Sequence, residues 1–253
     1  MSVERALFLS RWPGSLADGY QRLYFGAEFC SWAFPPLPQV EQALSASRAS
    51  GLGFTLVTPV LRESSLAELR QLFQALQPRL QPGDEVVISD FGALELVREL
   101  LPQVVVVLGR TLSGQKRGPR IEGLELSNEA LTYFRQGRWY SDEAVSLLQE
   151  LGIQRVELDN LLQGLEPLPA PLHGTLHTPY AMVTSSRNCP FHADKSGKRC
   201  SVSCGEVFRL TTEQTPHALL QAGNSQFLQL ETLPAELAPL RIDRLVFHPQ
   251  LPR

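Results

Sequence analysis

A strand–helix rhythm runs through most of this chain and restricts it to a parallel α/β fold. Short apolar runs read as strands at residues 22–26, 54–58, 85–89, 104–108, 154–158, 171–177, 227–230 and 244–247. Amphipathic stretches read as helices at 38–50, 64–80, 91–101 and 141–151. In the second of these, Leu66, Leu69, Phe73, Leu76 and Leu80 share one face, the spacing by which a helix buries a stripe. Gly51 is placed to end the first helix, because glycine takes the left-handed cap conformation without a Cβ clash. The run Val104–Leu108 has no polar position, so it predicts a strand buried on both faces, as parallel-sheet strands are. Strand–helix units with eight candidate strands predict a TIM-like (β/α) barrel, complete or else incomplete or distorted. An open doubly wound sheet ranks second.

The 253 residues suffice for a single barrel-like domain over 1–253, with a polar, cysteine-bearing insertion at 184–205. Hydrophobic residues make up 43% and charged residues 19%, which excludes a disordered chain. A net charge of −3 gives no global attraction to nucleic acid or an anionic membrane. The N-terminal apolar run is too short for a signal peptide, and no stretch approaches the ~20 apolar residues of a membrane helix. A cytoplasmic protein without a membrane span is therefore expected. In that reducing compartment, clustered cysteines point to metal binding or catalysis rather than disulfides.

The four cysteines are split unevenly. Cys189, Cys200 and Cys204 fall in the insertion, and Cys30 follows the first expected strand. Cys200 and Cys204 would share a face on a helical turn. In a parallel α/β fold, sites gather where strands end at their C-termini, so Cys30 and the insertion can meet there as one four-thiolate site. Thiolates select zinc or iron–sulfur clusters. No Cys-x-x-Cys pair of a zinc ribbon occurs, and the spacing leaves the metal open. His192 lies inside the loop as a surrogate ligand, and Arg187, Lys195, Lys198 and Arg199 surround the thiols.

Other candidates sit at expected strand ends. Glu28, Asp90, Glu157 and Asp159 are candidates for an acidic pocket, although each could cap a helix instead. His173 and His177 fall on one face of a strand and are candidates to line the pocket or to donate to a cluster sulfur. The basic, glycine-rich stretch Arg110–Gly123 reads as a mobile surface loop ahead of a phosphate, RNA or acidic-partner site. No nucleophile elbow, Gly-Lys phosphate loop or zinc-protease motif is present, and catalytic residues stay unassigned.

Several segments carry a resemblance. The run Tyr24-Phe-Gly-Ala-Glu-Phe-Cys30-Ser resembles the first-strand motif of the peptidase U32 family. The similarity continues through Leu56-Val-Thr-Pro-Val-Leu-Arg-Glu-Ser-Ser65, Val87-Ile-Ser-Asp-Phe-Gly92 and Leu151-Gly-Ile-Gln-Arg-Val-Glu-Leu-Asp159. It returns at Leu172-His-Gly-Thr-Leu-His-Thr-Pro-Tyr180, which leads into Ser186-Arg-Asn-Cys189 and the Cys200/Cys204 pair. It is nearest to the UbiU/UbiV-like branch, the iron–sulfur proteins of oxygen-independent ubiquinone hydroxylation. That resemblance implies a [4Fe–4S] cluster on Cys30, Cys189, Cys200 and Cys204. It also implies a role in hydroxylating a quinone precursor or an RNA base, with a related family member as partner in a hetero-complex. The rival expectations are a structural zinc protein and, from the family's name, a peptidase that no motif here supports.

Overall fold

The computed structural model describes residues 3–192, 200 and 204–252. Eight parallel strands close into a barrel: β1 (Glu4–Leu9), β2 (Arg22–Gly26), β3 (Gly53–Val57), β4 (Glu85–Ile88), β5 (Val105–Leu108), β6 (Arg155–Asp159), β7 (His173–Thr178) and β12 (Ile242–Phe247). Closure comes from β1, which pairs with β2 on one side and with β12 on the other. Between β7 and β12 the chain leaves the barrel and builds an antiparallel sheet from β8 (Tyr180–Ser185), β9 (Phe208–Thr212), β10 (Thr215–Ala222) and β11 (Ser225–Gln229). Its strand order is β8-β11-β10-β9.

The barrel has two cores because strand side chains alternate in direction. Leu23, Phe25, Phe54, Leu56, Val86, Ile88 and Leu108 point outward and pack with the helices. Ala6, Phe8, Tyr24, Val57, Val87, Val107 and Val246 point into the lumen. Five α-helices cover the outside among the described residues: α1 (Leu37–Ala49), α2 (Glu63–Leu76), α3 (Phe91–Leu100), α4 (Asn128–Arg135) and α5 (Asp142–Glu150). The ring of strands is complete, while among the described residues no α-helix lies between β1 and β2, between β6 and β7, or between β7 and β12. Gly51 follows α1 with φ +67°, the expected cap. Gly26 ends β2 with φ +149°, and a Cβ there would stand 2.1 Å from the Val57 carbonyl oxygen. Only glycine lets β2 turn toward the site at that point.

Three expectations need correction. Residues 227–230 fall in β11 of the small sheet, and the eighth barrel strand is β1 instead. The valine run is not buried throughout: Val105, at the lower rim where β5 begins, is 46% exposed. The cysteine segment is the β8–β9 connection, so the excursion from the barrel is a whole sheet and not only residues 184–205. No helix is long and apolar enough to cross a membrane among the described residues.

Candidate metal centre at the barrel mouth

Cys30, Cys189, Cys200 and Cys204 line one cavity at the C-terminal end of the barrel. Cys30 begins the short 3-10 turn Ser31–Ala33 just after β2. Burial pushes its thiol pKa up, and the nearby backbone N–H groups of Ala33 and Trp32 offset part of that, although the Ala33 N–H itself donates to the Cys30 carbonyl at 3.1 Å. Charge on Cys204 and Cys189 pushes it up further, which places those thiols within electrostatic reach of Cys30. Phe29, Trp32, Val60, Phe191 and Ala222 supply apolar walls, and Arg62, Arg187 and Asn224 supply the polar ones. Asp194, Lys195, Gly197, Lys198 and Arg199 lie outside the described residues.

Two sets of ties hold the small sheet over the mouth. At the rim, Asn224 in the β10–β11 turn donates to the Phe29 carbonyl at 2.8 Å and to the Ser186 carbonyl at 2.8 Å. Arg62, just before α2, donates to the Arg187 carbonyl at 3.0 Å and lies 5.0 Å over the Trp32 ring. Below them is Arg110, whose side chain is fully buried. Its Nε and Nη2 bond Glu28 Oε2 at 2.9 and 2.7 Å, and its Nη1 bonds Asp159 Oδ1 at 2.9 Å. Asp159 also accepts from the Met182 N–H of β8 at 2.8 Å and from Arg117 Nε at 2.7 Å. Arg110 thus joins Glu28, two residues before Cys30, to the strand that leads to Cys189.

The electrostatics follow from burial. Burial alone would discharge Arg110, but Glu28 and Asp159 outweigh it and hold the guanidinium charged more firmly than usual. Asp159 is likewise pushed up by burial and brought below its ordinary value by Arg110 and Arg117. Glu28 stays above the ordinary carboxylate value, because Arg110 cancels burial only in part.

The lumen beneath is polar too. Tyr24 Oη donates to Glu157 at 3.0 Å, Glu157 contacts His177 Nε2, and His177 Nδ1 meets His248 Nε2 at 2.7 Å. Burial lifts Glu157 to about 7 and keeps both His177 and His248 well below the usual histidine value. At the lower rim, Arg244 holds Glu85 through two bonds of 2.7 and 3.0 Å and Glu4 at 2.6 Å.

The expected pocket residues therefore separate. Glu28 and Asp159 do converge at the mouth. His177 is in the lumen, its two nitrogens taken by Glu157 and His248, so it is not a donor to the cysteines. His173 stands at the opposite rim, at the start of β7, 3.4 Å from Asp243. Asp90 caps α3, accepting the Ala93 N–H at 3.0 Å and the Leu61 N–H. His192 stacks on Trp32 with ring centres 6.2 Å apart. The 110–123 stretch is not a mobile surface loop: Arg110, Ser113, Gln115 and Pro119 are buried. Sequence reasoning does not single out Asn224, Trp32 or Arg62 as site residues, and for Arg110 the basic composition of its stretch is the signal.

The donor set can be tested against each metal. One zinc ion needs its thiolates converged at about 2.3 Å from a single point. Among the described residues, no three His, Cys, Asp or Glu side chains are grouped closely enough to hold one ion. By its chemistry the donor set, four cysteines on one cavity, is that of a zinc ion or an iron–sulfur cluster.

These features define a closed parallel (β/α) barrel whose mouth is roofed by a cysteine-bearing antiparallel sheet. No protein-family model matches the chain, and no curated protein matches it. Among solved structures, the complex of virulence factor SghA with its substrate analog salicin aligns at a TM-score of 0.28 and 14% identity. That alignment covers 78% of this chain and 56% of the other, and a likeness this slight carries no functional argument.

Proposed function

We propose that Cys30, Cys189, Cys200 and Cys204 hold a [4Fe–4S] cluster and that the protein acts in, or assists, a redox modification such as oxygen-independent hydroxylation. The observation that carries this reading is the single cavity lined by all four cysteines, drawn from two distant parts of the chain. When bound, the cluster would supply one-electron transfer at a potential tuned by its surroundings. The protein's part is to set those surroundings. Arg62 and Arg187 bring positive charge to the thiolates, and the Trp32 and Ala33 N–H groups near Cys30 favour its charged form. Phe29, Val60 and Phe191 limit water.

An aromatic small molecule, such as a quinone precursor, suits the mouth better than an RNA base. Arg110 and Arg117 are committed to Glu28 and Asp159, which removes two of the basic loop's cations from any phosphate backbone. A cavity of about 230 Å³ lies against the cysteine site and shares Ser31 and Trp32 with it. Pro35, Leu37, Leu61 and Leu72 line one part of it and Ser65, Glu68 and Gln71 another, a mixture that accepts a ring bearing polar groups. The working form would be a hetero-complex with a related chain.

Anaerobic purification followed by iron, sulfide and zinc analysis and electron paramagnetic resonance tests the reading. The expected result is a brown protein with about four irons and four sulfides per chain. A colourless protein with one zinc per chain would replace the cluster with a structural metal site. Hydrolysis of unstructured peptides that survives loss of all four cysteines would favour a peptidase.

A further inference from the structure

We propose that the cleft between the 3-10 turn Pro119–Gly123, α4 and the small sheet binds a small organic anion with an apolar body. The cleft holds about 410 Å³, within the roughly 300–1,000 Å³ of ordinary ligand sites. Phe134, Val183, Leu210 and Leu219 form apolar walls, and Lys116 and Arg120 stand among them. Neither cation has a carboxylate partner among the described residues. Lys116 Nζ donates to the Gln136 carbonyl at 2.9 Å and lies 3.9 Å from the centre of the Tyr133 ring. Arg120 donates to the side-chain carbonyl of Gln214.

The neighbouring basic groups differ in this respect. Arg117 is held by Asp159 at 2.7 Å, and His217 by Glu122 at 2.7 Å. Two positive charges therefore face apolar walls without a counter-charge, and burial already disfavours the Lys116 cation. An anionic head would supply that counter-charge, while the walls would remove a hydrocarbon or aryl body from water. A polyanion does not suit the cleft, because beyond the cations the lining is mostly apolar, with only the neutral hydroxyls of Thr211, Thr212 and Thr215 and the Glu122-bound His217 as polar groups on the sheet side. The site stands apart from the cluster reading, since none of its residues touches the cysteine cavity.

Decanoate is the probe, with decanol as its uncharged counterpart. In calorimetric titrations of the intact protein, decanoate should bind once per chain and at least tenfold more tightly than decanol. The double variant Lys116→Gln/Arg120→Gln should lose at least tenfold in decanoate affinity and leave decanol unchanged. On the unaltered protein, decanoate should slow amide exchange at residues 116–121 and 208–219. Absence of decanoate binding, equal binding by the double variant, or protection confined to other segments would each overturn the proposal.

Discussion

Replacing Arg110 with methionine should be the most damaging single change outside the cysteines. The substitution keeps an unbranched apolar stem but removes the charge between two buried carboxylates. Asp159 keeps Arg117 at 2.7 Å and the Met182 N–H at 2.8 Å. Glu28 loses both of its side-chain donors and retains only the backbone N–H of residue 110, at 2.9 Å. Removing one member of a buried pair costs about 3–5 kcal/mol. Because Glu28 can escape by taking up a proton, the expected loss at pH 7 is near the lower end, about 3 kcal/mol. That is a large share of the ~5–15 kcal/mol of a typical domain. Urea unfolding of anaerobically prepared protein, followed by fluorescence of its three tryptophans, reads the change. The sign of the pH dependence is also fixed. Glu28 already has a raised folded pKa, and loss of Arg110 raises it more, so the folded state binds more protons than the unfolded one above the ordinary carboxylate value. Stability of the variant then falls as pH rises through that window, and the deficit shrinks on acidification. Adding Glu28→Gln to Arg110→Met should recover at least ~1 kcal/mol, because the stranded charge is gone. A loss below ~1 kcal/mol, or a double variant no better than the single one, would refute the view of Arg110 as the clasp of the mouth.

Cys30→Ala should lower bound iron as severely as Cys204→Ala, although Cys30 is remote in sequence; a Cys30 variant with full iron content would break the four-thiolate assignment. Asp90→Ala should cost about 1 kcal/mol by unfolding, the worth of a helix cap, with unchanged iron content; loss of iron would return Asp90 to the site. Glu157→Gln should steepen the rise of stability with pH between about 4.5 and 6.5. Glu157, raised to about 7, binds a proton there only in the folded state, which opposes the gain from neutral His177 and His248. Deleting it should add about 1.4 kcal/mol per pH unit to the slope; identical slopes for variant and parent would show that Glu157 is ionised in the fold.

Much of the barrel was legible because burial imposes a period that the sequence must carry. The strands at 22–26, 85–88 and 155–159 and the helices α1, α3 and α5 lie within a residue or two of their expected limits. The errors arise where period says nothing about partners. Residues 227–230 have a barrel strand's composition but pair with β8 and β10. Glu4–Leu9 is a barrel strand with no helix between it and β2, so the strand–helix rhythm does not mark it. The cysteines could be counted as one set, and their meeting at the mouth follows from the strand-end rule. The clasp could not be seen, because Arg110 meets Glu28 across 82 positions and Asp159 across 49. A glycine-rich basic stretch reads as surface until the carboxylates that bury it are known. His173 and His177 share a strand face, yet only position along the strand decides which of them reaches the lumen.

The seam between β1 and β12 has a consequence for the order in which the molecule is made. Arg244 bonds Glu4 across 240 positions, so the barrel cannot close until nearly the whole chain is available. Cys30 and Cys189 are brought together by a similarly distant encounter, between the β2 segment and a sheet built just before β12. Contacts of such separation carry a loop-closure cost before they return any stabilisation. Ring closure and assembly of the thiol site are therefore late events in the same polypeptide. A chain halted short of β12 would present its thiols on an open sheet, where oxidants reach them most readily.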